Sequence, residues 1–542
     1  MSDAPLLAAV EAAYLRARDA RDRLDVARAT GEPPDAGPLE AGAAAAEAAV
    51  RVAMAELDAT PGAEDARSAE DRRALAAMRA GIESALGEAG GLSVTPSIPA
   101  EACADGAAWA AAIETGGDVL HRRLEGCYGA VAGALRAEGE ALTRPQVLAR
   151  LATDPDPAAR RRLFGALEPL WRTVDGDGGE RSPYRALVRE SASRWAEGQS
   201  PIEANARALG VTAAEIEAWA VGTLEAWREA VAAPAAARGE PPIQPWDWWW
   251  RAGEADRGLR ASLPLDRLFA LNREVHRGLG ADPDELAIRL DVTPRPGRPP
   301  VPVAFTTFGA RPYRRADGSW DPGRPTILAS YTDGGLGELT ELVHETGHAI
   351  HIGAIRTRPA FADWPDSDAL TEALGELVSL DLAEPAFARR WLPEAPAVPE
   401  AVSLRCRYAD VALDAAWALL EIRLHGDPER RPNDAWTEIT SRYLGIAPHP
   451  EWSWWAIRGQ LVGEPGYMAN YAIGAALAAD LRAAIRAARG DWIDGDPGWY
   501  AWVSERVYRF GLERSARDVL RDVLGRAPAA EALLRDIARA RG

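Results

Sequence analysis

The sequence predicts a mainly α fold in two lobes, with a small β-sheet just ahead of a helix that carries three of the seven histidines. Three observations carry this reading. Apolar residues recur at helical spacing through most of residues 1–240, a stretch rich in Ala, Arg, Glu and Leu. Two runs of β type bounded by Pro and Gly, RPGRPPVPVAFTTF (295–308) and RPTILASYT (324–332), then interrupt the helical pattern. From residue 336 to the C-terminus the pattern is helical again.

A chain of 542 residues exceeds what one simple core supports, so two lobes are expected. The division is placed at residue 240, with an N-terminal helical lobe over 1–240 and a second region over 241–542. Within the first, GEPPDAG (31–37), VTPSIPA (94–100), TDPDP (153–157) and GDGGERSP (176–183) separate the helices. The second opens on PPIQPWDWWW (241–250), whose four tryptophans in five positions mark a packed junction or the wall of a cleft. Residues 264–292 read as helical before the β-type runs begin.

Composition narrows the partners. Acidic residues outnumber basic ones, 81 to 62, for a net charge of −19. That balance argues against nucleic acid or an anionic membrane, both of which select basic surfaces. No apolar run reaches the length of about 18 residues that a membrane span requires. The first residues carry charges inside a helical pattern, without the apolar core of a signal peptide. Cys103, Cys127 and Cys406 are scattered and odd in number, which predicts free thiols in a reducing compartment. A cytoplasmic protein is the expectation.

The segment ELVHETGHAIHIG (341–353) carries the chemistry. His344 and His348 are four residues apart, so on a helix both rings point from one face and can meet at one ion. Leu339, Leu342, Val343, Thr346 and Ile350 give that helix a packed side. Zinc accepts neutral imidazole nitrogens and, in catalytic sites, keeps one position open to water. Glu345, beside a ligand without being one, is placed to take a proton from that water. His351 sits on the same face and is read as a packing or supporting residue.

Zinc needs a third protein ligand. The next helix, SDALTEALGELVSLDLAEP (367–385), offers Glu372 and Glu376 on one face beside the stripe Leu370, Leu374, Leu377 and Val378. One can bind metal while the other accepts a hydrogen bond from a ligand histidine. Ser367 or Asp368 can cap the helix start, and Pro385 limits its end. Gly347 and Gly375, one in each helix, are explained by a close approach of the two helices. His121, His276 and His425 are read as structural.

HETGHAIH followed by EALGE resembles the gluzincin metallopeptidases, a group that includes thimet oligopeptidase, oligoendopeptidase F, angiotensin-converting enzyme and the Taq-type metallocarboxypeptidases. In those families the third zinc ligand is a glutamate on the following helix, and Glu372 follows His344 by a suitable 28 residues. TEALGELVSLDLAEPAF is similar to the angiotensin-converting-enzyme pattern, and RPTILASYTDGGLGELTELVHETGHAIH to the oligoendopeptidase one. PWDWWW resembles a Trp-Asp-aromatic element upstream in the same group. GYMANYAIGAALAADLRAAI (466–485) resembles the segment that brings tyrosines to the zinc, and residues 502–528 are most like the end of the Taq-type enzymes. The resemblance covers about residues 240–540.

It implies a two-lobed helical metallopeptidase with one Zn2+ per chain, held by His344, His348 and Glu372. It implies Glu345 as the base, Glu376 as the group orienting a ligand histidine, and Tyr471, with Tyr467, as donors to the tetrahedral oxyanion. Substrates are then short peptides, cut by an oligopeptidase or, in the alternative, by a carboxypeptidase or peptidyl-dipeptidase. A non-peptidase role that keeps the zinc site is the further alternative. One departure stands out: these families carry a histidine a few residues before the tyrosine pair, and IRGQLVGEPGY has none. His449 lies too far upstream to replace it, and Arg458 is the residue placed to take a substrate-facing role.

Overall fold

The computed structural model describes residues 4–30, 33, 35–59, 67–87, 98–295, 301, 304–315 and 317–541. Parts of GEPPDAG, VTPSIPA and RPGRPPVPV therefore lie outside the described residues. The fold is mainly α, and the chain gathers into two compact units, each built from three separate stretches. One comprises Met1–Val94, Leu263–Ser379 and Ala488–Gly525; the other comprises Thr95–Ser262, Leu380–Ala487 and Arg526–Gly542. The boundary expected at residue 240 falls inside the second unit.

In the first unit, three N-terminal helices, Ala4–Thr30, Gly37–Asp58 and Ala69–Gly87, pack together. Leu7, Val10, Tyr14, Val50, Leu57 and Met78 form their common core, which closes over Ala360 and Phe361. Spacing alone identifies these helices as amphipathic but cannot name the surface that receives their apolar faces. That is why a division along the chain assigned them elsewhere.

The small sheet also belongs to this unit. Thr326–Leu328 is its central strand, parallel to Arg289–Asp291 and antiparallel to Phe305–Thr307. Ile327 pairs with Leu290 on one side and Thr306 on the other. Two of these strands fall in the expected β-type runs. Arg289–Asp291 lies in a stretch read as helical; the helix there, Leu265–Gly278, stops well short of it.

The histidine helix, Leu336–Ala354, follows a glycine-built entry. Gly334 and Gly335 have φ of 71° and 96°, and a Cβ at Gly334 would stand 2.4 Å from the Leu263 carbonyl oxygen. The Glu338 carboxylate then accepts the backbone N–H groups of Thr332, Asp333 and Gly334 at 2.7–3.3 Å. Leu339, Leu342, Val343 and Ile350 are fully buried, each contributing about 1.5–3 kcal/mol relative to exposure. The glutamate helix, Asp368–Ser379, is capped by Ser367, whose Oγ accepts the Leu370 N–H at 3.3 Å. It ends at Ser379 rather than at Pro385, passing into a 3-10 turn over Leu380–Ala383.

The second unit is organised around the long helix Glu400–Gly426, packed against Ala213–Trp227. PWDWWW packs into this unit, with Trp248 buried and Trp246, Trp249 and Trp250 half-buried. Trp248 is buried against Trp227, Trp249 packs on Phe164 and Trp454, and Asp247 accepts hydrogen bonds from the buried Arg160 at 2.7 and 2.9 Å. A short hairpin, Leu135–Ala137 with Glu140–Leu142, interrupts the helices here.

Cys103 and Cys127 form a disulfide, which corrects the reading of all three cysteines as free thiols. A 3-10 turn at Ala100–Ala104 and the helix Gly117–Ala132 bring their Cα atoms to 5.5 Å, within bridging range. Two cysteines 24 residues apart in no recognisable motif give no warning of this. Cys406 is free. Among the described residues, no helix is long and apolar enough to cross a membrane.

Candidate metal centre

The first unit brings together His344, His348 and Glu372, the three residues expected to hold a metal. One donor atom from each lies within 4.8 Å of the others. The two Nε2 atoms are 3.0 Å apart, and His344 Nε2 is 3.5 Å from Glu372 Oε2. A tetrahedral ion with bonds of 2.0–2.1 Å separates its ligand atoms by about 3.3 Å, so the spacing fits zinc. The imidazole planes stand at 87°, aiming both rings at one point instead of stacking them.

The two helices can supply these donors because they nearly touch. A Cβ at Gly347 would lie 2.5 Å from the Gly375 carbonyl oxygen. A Cβ at Gly375 would lie 2.8 Å from His348 Nε2 and 2.9 Å from the His344 ring, filling the space into which the nitrogens point. Both glycines therefore have the role that their spacing suggested.

Electrostatics prepare the triad for a cation. Burial alone would lower the His344 pKa, but Glu372 and Glu376 reverse this and hold it well above the ordinary histidine value. His348 is shifted the other way, by burial and by the neighbouring His344 charge. Burial pushes Glu372 upward, yet its hydrogen bond to His344 and the two histidine charges leave it below the usual carboxylate range. A divalent ion would replace the proton shared here. Glu376 stands 3.4 Å from His344 Nδ1, on the far side of the ring from Glu372, and Ser379 Oγ donates to it at 2.6 Å.

Glu345 is buried, and its carboxylate accepts a hydrogen bond from Thr306 Oγ1 at 2.7 Å. The same hydroxyl lies 2.9 Å from the Glu345 carbonyl oxygen, tying the sheet to the histidine helix. Sequence reasoning missed Thr306, since a threonine in a short strand carries no distinguishing signal. It also missed Trp364, which packs edge-on to His348 with ring centroids 5.7 Å apart and lies equally close to His351. His351 is wholly buried between Trp364 and Tyr508, a packing role. Asn272 Nδ2 donates to Thr346 Oγ1 at 2.9 Å, fixing the helix from its other side.

The remaining expected residues lie in the second unit. Tyr467 stands immediately before the helix Met468–Arg489 and Tyr471 within its first turn, with ring centroids 5.7 Å apart. Tyr471 Oη accepts from Gln460 Nε2 at 3.1 Å, and the Arg458 guanidinium lies 5.0 Å over its ring. Asn470 is buried and bonded to Asn205. His449 is occupied elsewhere, stacked on Trp452 and bonded to Glu451 and Gln244. His121 bonds the Gly463 carbonyl, His276 is fully buried and bonded to Asn272, and His425 is bonded to Ser191 and stacked on Trp195.

This is the fold of helical metallocarboxypeptidases, followed from end to end. The M32 carboxypeptidase of Deinococcus radiodurans R1 is similar over 98% of this chain and 97% of its own, with a TM-score of 0.57 and 18% identity. Metallocarboxypeptidase 1 of Trypanosoma cruzi covers 99% of both chains with a TM-score of 0.54 and 17% identity. The Pyrococcus furiosus carboxypeptidase covers 98% of both with a TM-score of 0.55 and 17% identity. At these identities the likeness is one of fold. No family model and no curated protein sequence matches the chain.

Proposed function

We propose that this protein is a zinc-dependent carboxypeptidase acting on short peptides. The observation that carries the reading is the His344–His348–Glu372 triad with the Glu345 carboxylate beside it. The end-to-end fold likeness to metallocarboxypeptidases favours this over the oligopeptidase that the histidine segment alone resembles. Glu376 holds His344 in the orientation that presents Nε2 to the ion.

His344, His348 and Glu372 would hold a zinc ion, which would supply a Lewis acid and an activated water near neutral pH. Glu345 then takes the proton of the attacking water and delivers it to the leaving amine. Thr306 fixes the carboxylate for both transfers.

The test is metal analysis of the purified protein combined with cleavage of peptides whose C-termini are free or amidated. A carboxypeptidase carries one zinc per chain, shortens only the free-ended peptides from the C-terminus, and loses cleavage but not zinc in Glu345→Gln. Internal cuts in amidated peptides would return the reading to an oligopeptidase. Bound zinc without any cleavage would leave a non-peptidase role.

A further inference from the structure

The histidine helix carries one acid that the proposed chemistry does not use. Glu341 stands three residues before His344 and seven before His348, so the three side chains leave the helix on one face. We infer that Glu341 selects the substrate, taking the cationic side chain of a lysine or arginine next to the bond that is cut. The inference rests on the peptidase reading for its substrate and deepens it.

The other acids around the triad are already engaged. Glu372 and Glu376 flank His344 at 3.5 and 3.4 Å. Glu338 accepts three backbone N–H groups, and Glu345 accepts from Thr306 Oγ1. Glu341 is exposed to solvent and makes no ion pair among the described residues. Desolvation by the protein around it and the neighbouring Glu345 charge push its pKa up to about 7. The side chain turned toward it is Tyr331, itself buried. Burial, followed by the charges of Glu341, Glu345 and Glu338, keeps the Tyr331 phenol protonated. These carboxylates therefore have a neutral donor beside them and lack a cation. An incoming ammonium or guanidinium supplies one and favours the ionised form of Glu341.

The reach suits a residue flanking the scissile bond. Three helical residues rise about 4.5 Å, so Glu341 lies one turn from His344. Consecutive residues of an extended peptide are about 3.3 Å apart. A peptide whose carbonyl lies at the triad thus brings the long side chain of a neighbouring residue to Glu341. A neutral side chain there would desolvate the carboxyl further without compensation, so the acid discriminates by cost as well as by attraction.

The test uses short peptides with lysine or its uncharged isostere norleucine at the last or the penultimate position. At one of the two positions the wild type should favour lysine about tenfold in kcat/KM, and that position identifies the subsite. Glu341→Gln should bring the ratio to within about twofold of unity at unchanged zinc content. Glu341→Arg should instead favour glutamate over glutamine at the same position. A general attraction of cations to a chain of net charge −19 would leave the lysine preference intact in Glu341→Gln. That outcome overturns the inference, as does a wild type indifferent to lysine at both positions. Calorimetric binding of the same peptides to zinc-loaded Glu345→Gln protein, with and without Glu341→Gln, reads the contrast without cleavage. A wild type that cuts nothing would sink the peptidase reading. Lysine-selective binding lost in Glu341→Gln would still uphold the role of Glu341, and equal binding of lysine and norleucine peptides would end it.

Discussion

Gly347 and Gly375 meet where the histidine helix and the glutamate helix cross, so closely that a methyl group on the first would stand 2.5 Å from the carbonyl oxygen of the second. This approach lets donors from two separate helices reach one point. Gly347→Ala forces the helices apart and should cost about 1–3 kcal/mol of stability, read as a lower denaturation midpoint. Gly375→Ala puts its methyl among the imidazole nitrogens, 2.8 Å from His348 Nε2. It should weaken zinc binding more than a hundredfold in a competitive chelator titration, and zinc binding at wild-type strength would refute this account of the crossing.

Metal and stability should be coupled through the same crossing. A ligand that binds only the folded state stabilises it by mass action, and a metal held by His344, His348 and Glu372 would clamp two helices. Chelation should lower the melting temperature of the wild type by several degrees and leave His348→Ala unchanged. Equal shifts in both proteins would mean that the chelated metal sits elsewhere.

Thr306 offers a test of Glu345 as the proposed base that leaves the candidate metal ligands untouched. Thr306→Val removes the hydroxyl that donates to Glu345 and preserves the shape of the strand residue. Cleavage should fall about tenfold with zinc content unchanged, as expected for a group that orients a catalytic carboxylate. Loss of zinc in this variant would show that Thr306 supports the helix as a whole.

The sequence made the candidate metal site legible because two of its residues stand at helix spacing and the third lies on the next helix. His344 and His348 need only one helix, and Glu372 needs only the next. Thr306 and Trp364 were invisible because their contacts cross from a strand and a loop whose placement no local pattern encodes. The same limit explains the N-terminal helices: Val10, Tyr14 and Met78 announce a buried face without announcing that Phe361 lies under it. Arg289–Asp291 was hidden for a related reason, since a three-residue strand is too short to show alternation.

Arg311 supplies the next prediction. It is buried in the first unit and paired with Asp22 and, at 3.3 Å, with Asp363, which also meets Arg18 at 2.7 Å. Removing one member of such a cluster leaves buried charge uncompensated, so Arg311→Met should cost about 3–5 kcal/mol. Pairing it with Asp22→Asn should recover part of that loss, because one stranded carboxylate is neutralised. A double variant less stable than Arg311→Met would refute the charge-based explanation.

Acid sensitivity should come from histidines outside the metal centre. Burial lowers the His276 pKa from 6.5 to about 4, and burial does the same for His425. Each folded-state value lies below the unfolded one, so between about pH 6.5 and 4 the unfolded chain binds more protons. Their contribution is complete above pH 6.5 and is lost as the pH falls through 4, up to about 3 kcal/mol for the fully buried His276. The melting temperature should decline over that window, less steeply in His276→Gln. Parallel declines in the two proteins would assign acid sensitivity to other groups.

The Cys103–Cys127 bridge closes a loop of 24 residues ahead of the Tyr128 contact to Ile457. Constraining a loop of that length in the unfolded chain is worth about 3 kcal/mol in the chain-entropy model. Thiol titration of the denatured, unreduced protein should find one reactive cysteine, Cys406, and three after reduction. Reduction should lower the melting temperature of the wild type and leave a Cys103→Ser, Cys127→Ser double variant unmoved. Three free thiols before reduction would remove the bridge from the account, and a reduced protein melting with the oxidised one would remove its stabilising role.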